Sequence, residues 1–412
     1  MGTDARYLTA HEAAEVLGVT LPTLYAYKSR GRLQSEPAPG RTRARRYLRE
    51  DIERLLERKE TRRDPAKAAA RGLHWGSPVL ASALTLIQDG RLYYRGHDAI
   101  ELARHATLEE AAALLWSAEK HEAKTAFAQS CILPAPQLSV VRACSKDPVV
   151  RMQTALPLAC AVDLAGYDLR PAAVRHTGAR ILRLFAAVLS GRDSHTPVHE
   201  VLHTAWAPRR PEVAEIIRMA LVLCADHELN VSAFTARCAA SAGATPYDAV
   251  SAALAALKGS RHGGETGRVA ALLDEIGTPR RAPSVLAGRL RRGDRLPGFG
   301  HPLYPAGDPR AALLMQMCAA GSNRPAVKLA RAVCRSAARL LHESPNVDFA
   351  LVALGRAYDL PGYAPIVLFA LGRTAGWIAH IIEQYQSAEL IRPRASYTGP
   401  PPAEAASGRP AQ

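Results

Sequence analysis

Three histidines stand in local settings that suit chemistry better than packing. They are Asp226-His227-Glu228-Leu229-Asn230, Gly259-Ser260-Arg261-His262-Gly263-Gly264 and Gly298-Phe299-Gly300-His301-Pro302. Glycine next to an imidazole weakens helix and strand, so it points to close backbone approach and an unshielded ring. Each residue alone has a plainer explanation. His227 between two carboxylates reads as a surface helix residue, Arg373 as a cap or pairing partner in a helix bundle, and Asp348 as a charge at a helix N-terminus. The three histidines are followed in order by Asp308-Pro309-Arg310 and Pro345-Asn346-Val347-Asp348, and together they read as one site gathered from distant segments. Imidazoles and a carboxylate are the tools of proton transfer, and arginine forks grip carboxylates.

The ordered set resembles the citrate synthase family over residues 73–397, about four fifths of the chain. The resemblance is carried by Gly90-Arg91-Leu92-Tyr93-Tyr94-Arg95-Gly96-His97-Asp98, by Gly-Phe-Gly-His-Pro-Leu-Tyr-Pro-Ala-Gly-Asp-Pro-Arg-Ala at 298–311, by Gly372-Arg373-Thr374-Ala375-Gly376 and by Ile391-Arg392-Pro393-Arg394. It implies a mainly α fold, with an all-helical large domain (76–263 and 361–398) and a small domain (264–360) that closes over substrate. It also implies a homodimer in which Arg392 completes the other subunit's site. The implied reaction condenses acetyl-CoA with oxaloacetate and hydrolyses citryl-CoA, with no metal and no cofactor beyond the acyl-CoA substrate. A 2-methylcitrate synthase using propionyl-CoA is the near alternative, because one methylene is worth only ~1–3 kcal/mol of discrimination.

By the same resemblance, Asp348 takes the methyl proton, His262 hydrogen-bonds the thioester oxygen, and His301 binds the oxaloacetate carbonyl and acts as acid. His227, Arg310, Arg373 and Arg392 hold the oxaloacetate carboxylates. Arg295, Gly298, Phe299 and Gly300 are candidate CoA contacts. The local sequence suits these roles. His262 lies just before a helix expected near Glu265, whose N-terminus disfavours imidazolium. Asp308 and Pro309 read as N-cap and first helical residue, so Arg310 projects from a helix start. Asp348 precedes an apolar helix whose dipole is expected to keep it ionised. Two departures from the family pattern stand out. Ser260-Arg261 replaces the usual residues before His-Gly-Gly, and its charge is expected to retune His262. Ala350-Leu351-Val352 replaces a small Ser-Gly pair and is expected to change packing behind Asp348.

Around that site the elements read as Ala/Leu-rich helices from about residue 99, with turn-and-strand character at 73–98. Residues 1–64 form a separate unit. Thr9-Ala10-His11-Glu12 is a capping box, Gly18 ends the first helix, Thr20 caps a second over residues 21–29, and a third lies near 51–59. The unit resembles the winged helix-turn-helix domains of mercury-resistance regulators and excisionases. The resemblance implies Thr23, Tyr25, Tyr27 and Lys28 near a DNA groove, with Arg43, Arg45 and Arg46 on phosphates. Residues 65–75 read as a linker and 399–412 as a disordered tail.

The chain has 412 residues, with 53 Lys and Arg against 38 Asp and Glu, a net charge of +15. With 48% hydrophobic residues it is neither disordered nor fibrous. From 27 to 49, eight basic residues face Glu36 alone, a local surplus of seven; the remaining charge reads as diffuse, around a site for polyanionic substrates. No apolar run reaches the ~18 residues of a membrane span, and the first residues lack a signal-peptide core. The seven cysteines, with no CxxC pair, read as reduced thiols in a core, which gives a cytoplasmic expectation. Two classes of function compete. One is an acyl-CoA:oxaloacetate condensing enzyme with a DNA-binding appendage, and the other is a DNA-binding regulator whose citrate-synthase-like part senses metabolites.

Overall fold

Thr9 accepts the Glu12 backbone N–H while the Glu12 carboxylate accepts from the Thr9 N–H at 2.8 Å, so the expected capping box starts the first helix. In the computed structural model, residues 7–31, 33–37, 45–49, 51–52, 55–56, 80–321, 323–387, 389–395 and 397–400 are described. The chain divides into two units, Met1–Ala81 with Pro393–Gln412, and Ser82–Arg392. In the first, β1 (Tyr7–Thr9), α1 (Ala10–Leu17), α2 (Leu21–Ser29), β2 (Ser35–Pro37) and β3 (Arg45–Leu48) form a helix pair and an antiparallel sheet ordered β1-β3-β2. Leu8, Ala13, Leu17, Leu24, Leu33, Tyr47 and Ile52 make its core. Gly18 ends α1 in the left-handed conformation, φ 58°. Thr20 occupies the N-cap of α2, but its hydroxyl pairs with that of Thr23 at 3.0 Å instead of capping an amide. Residues 51–52 and 55–56 are helical; the rest of the expected third helix, the expected linker and most of the expected tail lie outside the described residues.

The second unit opens with a meander, β4 (Thr85–Gln88), β5 (Arg91–Tyr94) and β6 (His97–Asp98), where the sequence predicts strands. Helices follow: α3 (Ala99–His105), α4 (Leu108–Leu115), α5 (Lys120–Phe127), α6 (Ala135–Ala143), α7 (Pro148–Val162), α8 (Pro171–Ser190), α9 (Val198–Trp206), α10 (Glu212–Leu223), α11 (Val231–Ser241) and α12 (Pro246–Leu257). The chain then forms α13 (Glu265–Ile276), α14 (Ala282–Arg291), α15 (Pro309–Ala319), α16 (Arg324–Leu341), α17 (Val347–Ala357) and α18 (Ala364–Gln386). The unit is mainly α, as the resemblance implies.

The axle of this unit is α18. It packs against α4, α8, α10, α11, α12 and α17. It is also long and apolar enough to cross a bilayer, which corrects the expectation that no segment is, but its apolar window is 94% buried inside the fold. Two polar side chains near its end are partnered: Glu383 accepts from the Ala83 N–H and pairs with Arg237, and Gln384 accepts from Arg237 Nε. Two glycines let it approach the end of α10. A Cβ on Gly372 would stand 2.5 Å from the Leu221 carbonyl oxygen, and one on Gly376 would strike the Ala225 carbonyl and the Asp226 carboxylate. The Gly376 N–H donates to that same Ala225 carbonyl at 2.9 Å. Tyr94 clamps the other side, its hydroxyl lying 3.1–3.2 Å from the carbonyls of Val222, Leu223 and Asp226. The segment carrying His227 is thus pinned from both faces. All seven cysteines are free thiols, though Cys144 is exposed, where the sequence predicts core positions.

Gly376→Ala forces a methyl into that contact and breaks the bond to Ala225. It should destabilise the chain by ~1–3 kcal/mol or more by overpacking, read as a lower midpoint in urea unfolding; an unchanged midpoint would show that α18 need not sit this close.

Candidate functional site

Asp308 begins the site. It caps α15, accepting the Arg310 N–H at 3.0 Å, and its carboxylate grips the Arg310 side chain through Nε (3.0 Å) and Nη2 (2.8 Å). The same carboxylate accepts the Val347 N–H at 3.1 Å, tying the start of α17 to the start of α15. Both side chains of the pair are 1–2% exposed. Asp308, Pro309 and Arg310 take the cap, first and second helical positions that the sequence predicts.

Three histidines meet near this pair. His227 is buried, not a surface residue, and its Nε2 lies 3.0 Å from the Tyr304 hydroxyl. Its ring centroid is 5.1 Å from that of His301, edge to face. His301 Nδ1 accepts the Leu303 N–H at 3.2 Å, so the neutral ring carries its proton on Nε2. Burial, then Arg310, pushes His301 down to about 4. His227 is driven well below the ordinary histidine range by burial, then by Arg310 and Arg373. His262 sits one turn before α13, and its carbonyl accepts the Glu265 N–H at 2.8 Å. Its Nε2 lies 2.8 Å from the Ser232 hydroxyl, which also receives the Trp377 indole N–H at 3.0 Å. Burial, then Arg373, lowers His262 to about 3. Arg261 is exposed and adds nothing to that shift, which corrects the expectation that its charge retunes His262.

Asp348 is the second residue of α17, inside the first turn rather than before it, and Asn346 caps that helix. Its Oδ1 is sealed from solvent and has no hydrogen-bond partner among the described residues. Burial, opposed by Arg310 and reinforced by Glu265 and Asp308, raises Asp348 to about 7. The expectation that the helix dipole keeps it ionised is therefore corrected: desolvation outweighs the ~0.3–1 kcal/mol of a helix terminus. Behind it, Ala350, Leu351 and Val352 are buried.

The glycine loop holds these pieces in register. Gly298 (φ 83°) accepts the Asn346 N–H at 2.9 Å, and the Gly300 N–H (φ 72°) donates to Ser344 at 3.0 Å, so 298–300 pairs with 344–346. Phe299 points inward against Phe349, with ring centroids 4.9 Å apart. Arg373, in mid-α18, donates Nε to the Cys224 carbonyl at 3.0 Å, and its Nη groups bond to nothing among the described residues. It lies over Phe369, whose ring also meets His262. Arg295 lines a cleft of about 350 Å³ with Gly300, His301, Tyr304 and Asn346.

The structure thus brings together His227, His262, His301, Arg310, Asp348 and Arg373. Arg392 is exposed and touches none of them within the chain. Sequence reasoning missed three partners. Tyr304 lies in the 298–311 block, one turn past His301; Ser232 and Glu265 carry no motif of their own. The ensemble offers three neutral imidazoles, two arginine forks and one carboxylate poised between its charge states. No group of His, Cys, Asp and Glu among the described residues is arranged to hold a metal ion.

In the first unit, α2 carries Thr23, Tyr25, Tyr27 and Lys28, with Tyr25 51% exposed. Arg45 donates to Ser35 at 2.9 Å. Arg46 stacks 3.9 Å over Tyr7 and lies 3.4 Å from Glu36, so it braces the sheet as well as facing outward. Arg43 lies outside the described residues.

The chain matches the family described as citrate synthase, C-terminal domain, over residues 72–394, and a helix-turn-helix domain family over residues 7–60. Citrate synthase 2 of Bacillus subtilis strain 168 is 33% identical over 367 residues, covering 81% of this chain and 96% of its own length. A citrate synthase of Haloferax volcanii is 32% identical over 366 residues, covering 80% of this chain and 95% of its own. Among solved structures, a citrate synthase of Thermoplasma acidophilum in ternary complex with carboxymethyl coenzyme A and oxaloacetate aligns with a TM-score of 0.70. It is 25% identical and covers 81% of this chain and 97% of that one.

Ser232→Ala removes the partner of both the His262 ring and the Trp377 indole. Each buried polar group left unpaired costs ~1–3 kcal/mol, so urea unfolding should show a loss of that order and ring nitrogen NMR a changed His262 tautomer. An unaltered His262 spectrum would refute the positioning role of Ser232.

Proposed function

The chain belongs to the citrate synthase family, and from that premise we propose that it condenses acetyl-CoA with oxaloacetate and hydrolyses citryl-CoA to citrate and CoA. One observation carries the reading: burial drives the imidazoles neutral and the Asp348 carboxyl up to about 7 in the same site. A base that must take a weakly acidic methyl proton works best with a pKa near the operating pH.

Asp348 removes the methyl proton of the thioester. The enolate oxygen is held by His262, whose Nε2 accepts the Ser232 hydroxyl proton in this tautomer, leaving Nδ1–H to face substrate. A neutral imidazole beside Arg373 stabilises that oxygen as a hydrogen-bond donor. The enolate carbon attacks the oxaloacetate carbonyl, forming the new C–C bond, and His301 supplies a proton from Nε2 to the alkoxide. Water then cleaves the thioester: its hydroxide adds to the acyl carbon, its proton restores the His301 Nε2–H, and the proton held by Asp348 goes to the leaving thiolate, releasing citrate and the CoA thiol. Arg310, with Nη1 left over from Asp308, and Arg373, with both Nη groups open, hold the oxaloacetate carboxylates. Arg295 and the 298–300 loop serve CoA. Arg392, remote from this site, serves the partner subunit's site in a homodimer whose small domain closes on substrate. The seven free thiols support a reducing, cytoplasmic setting.

The match over residues 7–60 and the exposed Tyr25 favour a second activity, DNA binding through α2 and the arginines of the central strand β3. The complete set of catalytic side chains favours turnover over a purely sensing role.

Thiol release from acetyl-CoA and oxaloacetate, followed with a disulfide reagent, tests the enzyme reading; no release with acetyl- or propionyl-CoA would sink it. The ratio of the two substrates decides between citrate and 2-methylcitrate synthesis. With Asp348 raised, the ionised base is lost as pH falls, so kcat/KM should drop below about pH 7. His262 and His301, titrating near 3 and 4, add no limb above pH 5. A carboxyl raised on folding stabilises the fold below its unfolded pKa and loses that contribution as pH rises through 7. Asp348→Asn should therefore be inactive yet more stable than wild type at pH 8. For DNA, a gel shift on random duplex at low salt is expected, and its absence would refute that second activity.

A further inference from the structure

The charge of the catalytic unit is not diffuse. From 277 to 342 there are twelve arginines and lysines and two acids, and one acid and one arginine are the buried pair Asp308–Arg310. This surplus of ten and the seven at 27–49 together exceed the whole +15, so the rest of the chain is slightly negative. The expectation of a remainder spread around the substrate site is corrected accordingly.

Much of this charge lies on α16. Arg324, Lys328, Arg331, Arg335 and Arg339 are all exposed and recur at intervals of three or four residues, so they share one stripe of the helix. At ~1.5 Å per residue the stripe is about 22 Å long. None of the five has an ion-pair partner among the described residues; Arg324 alone has a hydrogen bond, to the Ala319 carbonyl at 3.3 Å. The opposite face of α16, with Val327, Leu329, Ala330, Val333 and Ala337, is buried in the core. The adjoining turn, Pro279–Arg281, and α14 pack against α16 and add the exposed Arg280, Arg281 and Arg291. A surface helix normally intersperses acids among such residues. Here like charges repel along about four turns of a helix that carries no acid.

We propose that the α16 stripe is a sequence-independent binding surface for the phosphate backbone of nucleic acid. Duplex DNA presents one charge per ~1.7 Å of axis, so a 22 Å stripe faces on the order of a dozen phosphates. Four of the five residues are arginine, whose fork matches phosphate oxygens. A membrane surface is disfavoured, because the apolar face that would enter a bilayer is occupied by the core. The choice of nucleic acid over other polyanions rests on the helix-turn-helix unit of the same chain.

The full-length chain carrying Lys328→Gln, Arg331→Gln and Arg335→Gln is the test, with a 30-base-pair random duplex as probe. Thiol release should be unchanged, which confirms folding. The slope of log K against log salt should fall in magnitude by about 2–3, near 0.9 for each lost phosphate contact. A chain with Tyr25→Ala and Lys28→Gln separates the two surfaces. If it abolishes binding while the α16 variant keeps the wild-type slope, the stripe is refuted and the N-terminal reading stands. If the α16 variant alone flattens the slope, the stripe stands without it. No wild-type binding, or stripe-dependent binding to polyglutamate or to vesicles with 30% phosphatidylserine but not to the duplex, would overturn the proposal.

Discussion

A single buried ion pair sets the geometry of the catalytic unit. Burying an arginine and an aspartate costs several kcal/mol per ion unless each is well hydrogen-bonded. The Asp308–Arg310 pair meets that condition by spending the carboxylate three ways, on its own helix start, on the arginine fork and on the Val347 N–H. Two helix N-termini are thereby locked side by side. One aims Arg310 and the other Asp348, while the Arg310 charge lies 5.6 Å from the centre of the Tyr304 ring and helps keep His301 and His227 neutral. Removing either partner would strand a charge in the interior and release both helix starts.

The same desolvation acts in opposite directions on acids and bases, and the chemistry depends on that asymmetry. Burial takes the proton off the imidazoles and leaves it closer to Asp348, so one physical cause yields both hydrogen-bond donors without charge and a base near neutrality. Fine adjustment falls to neighbours: Arg373 for His262, and Glu265 against Arg310 for Asp348.

Much of this was legible in the sequence because it rests on short-range rules. The capping box at Thr9, the helix starts at Glu265 and Asp308 and the bare histidines all follow from residues within four positions of each other. What escaped depends on distance. Ser232 reaches His262 from another helix and is itself held by Trp377, Tyr94 clamps Asp226 across more than a hundred residues, and the protonation of Asp348 is set by how deeply the fold buries it. A dipole argument, local by nature, could not weigh that burial. The helix at 364–386 shows the same limit: its composition suits a membrane, and only its neighbours reveal a core.

That helix is a single rod of 23 residues, roughly 35 Å long. Arg373 sits at its middle, and just beyond its end the Gln384 side chain and Ser241 hold 389–391, the approach to Arg392. Arg373 and the approach to Arg392 are therefore tied to the same helix, the one by its backbone and the other by the Gln384 side chain.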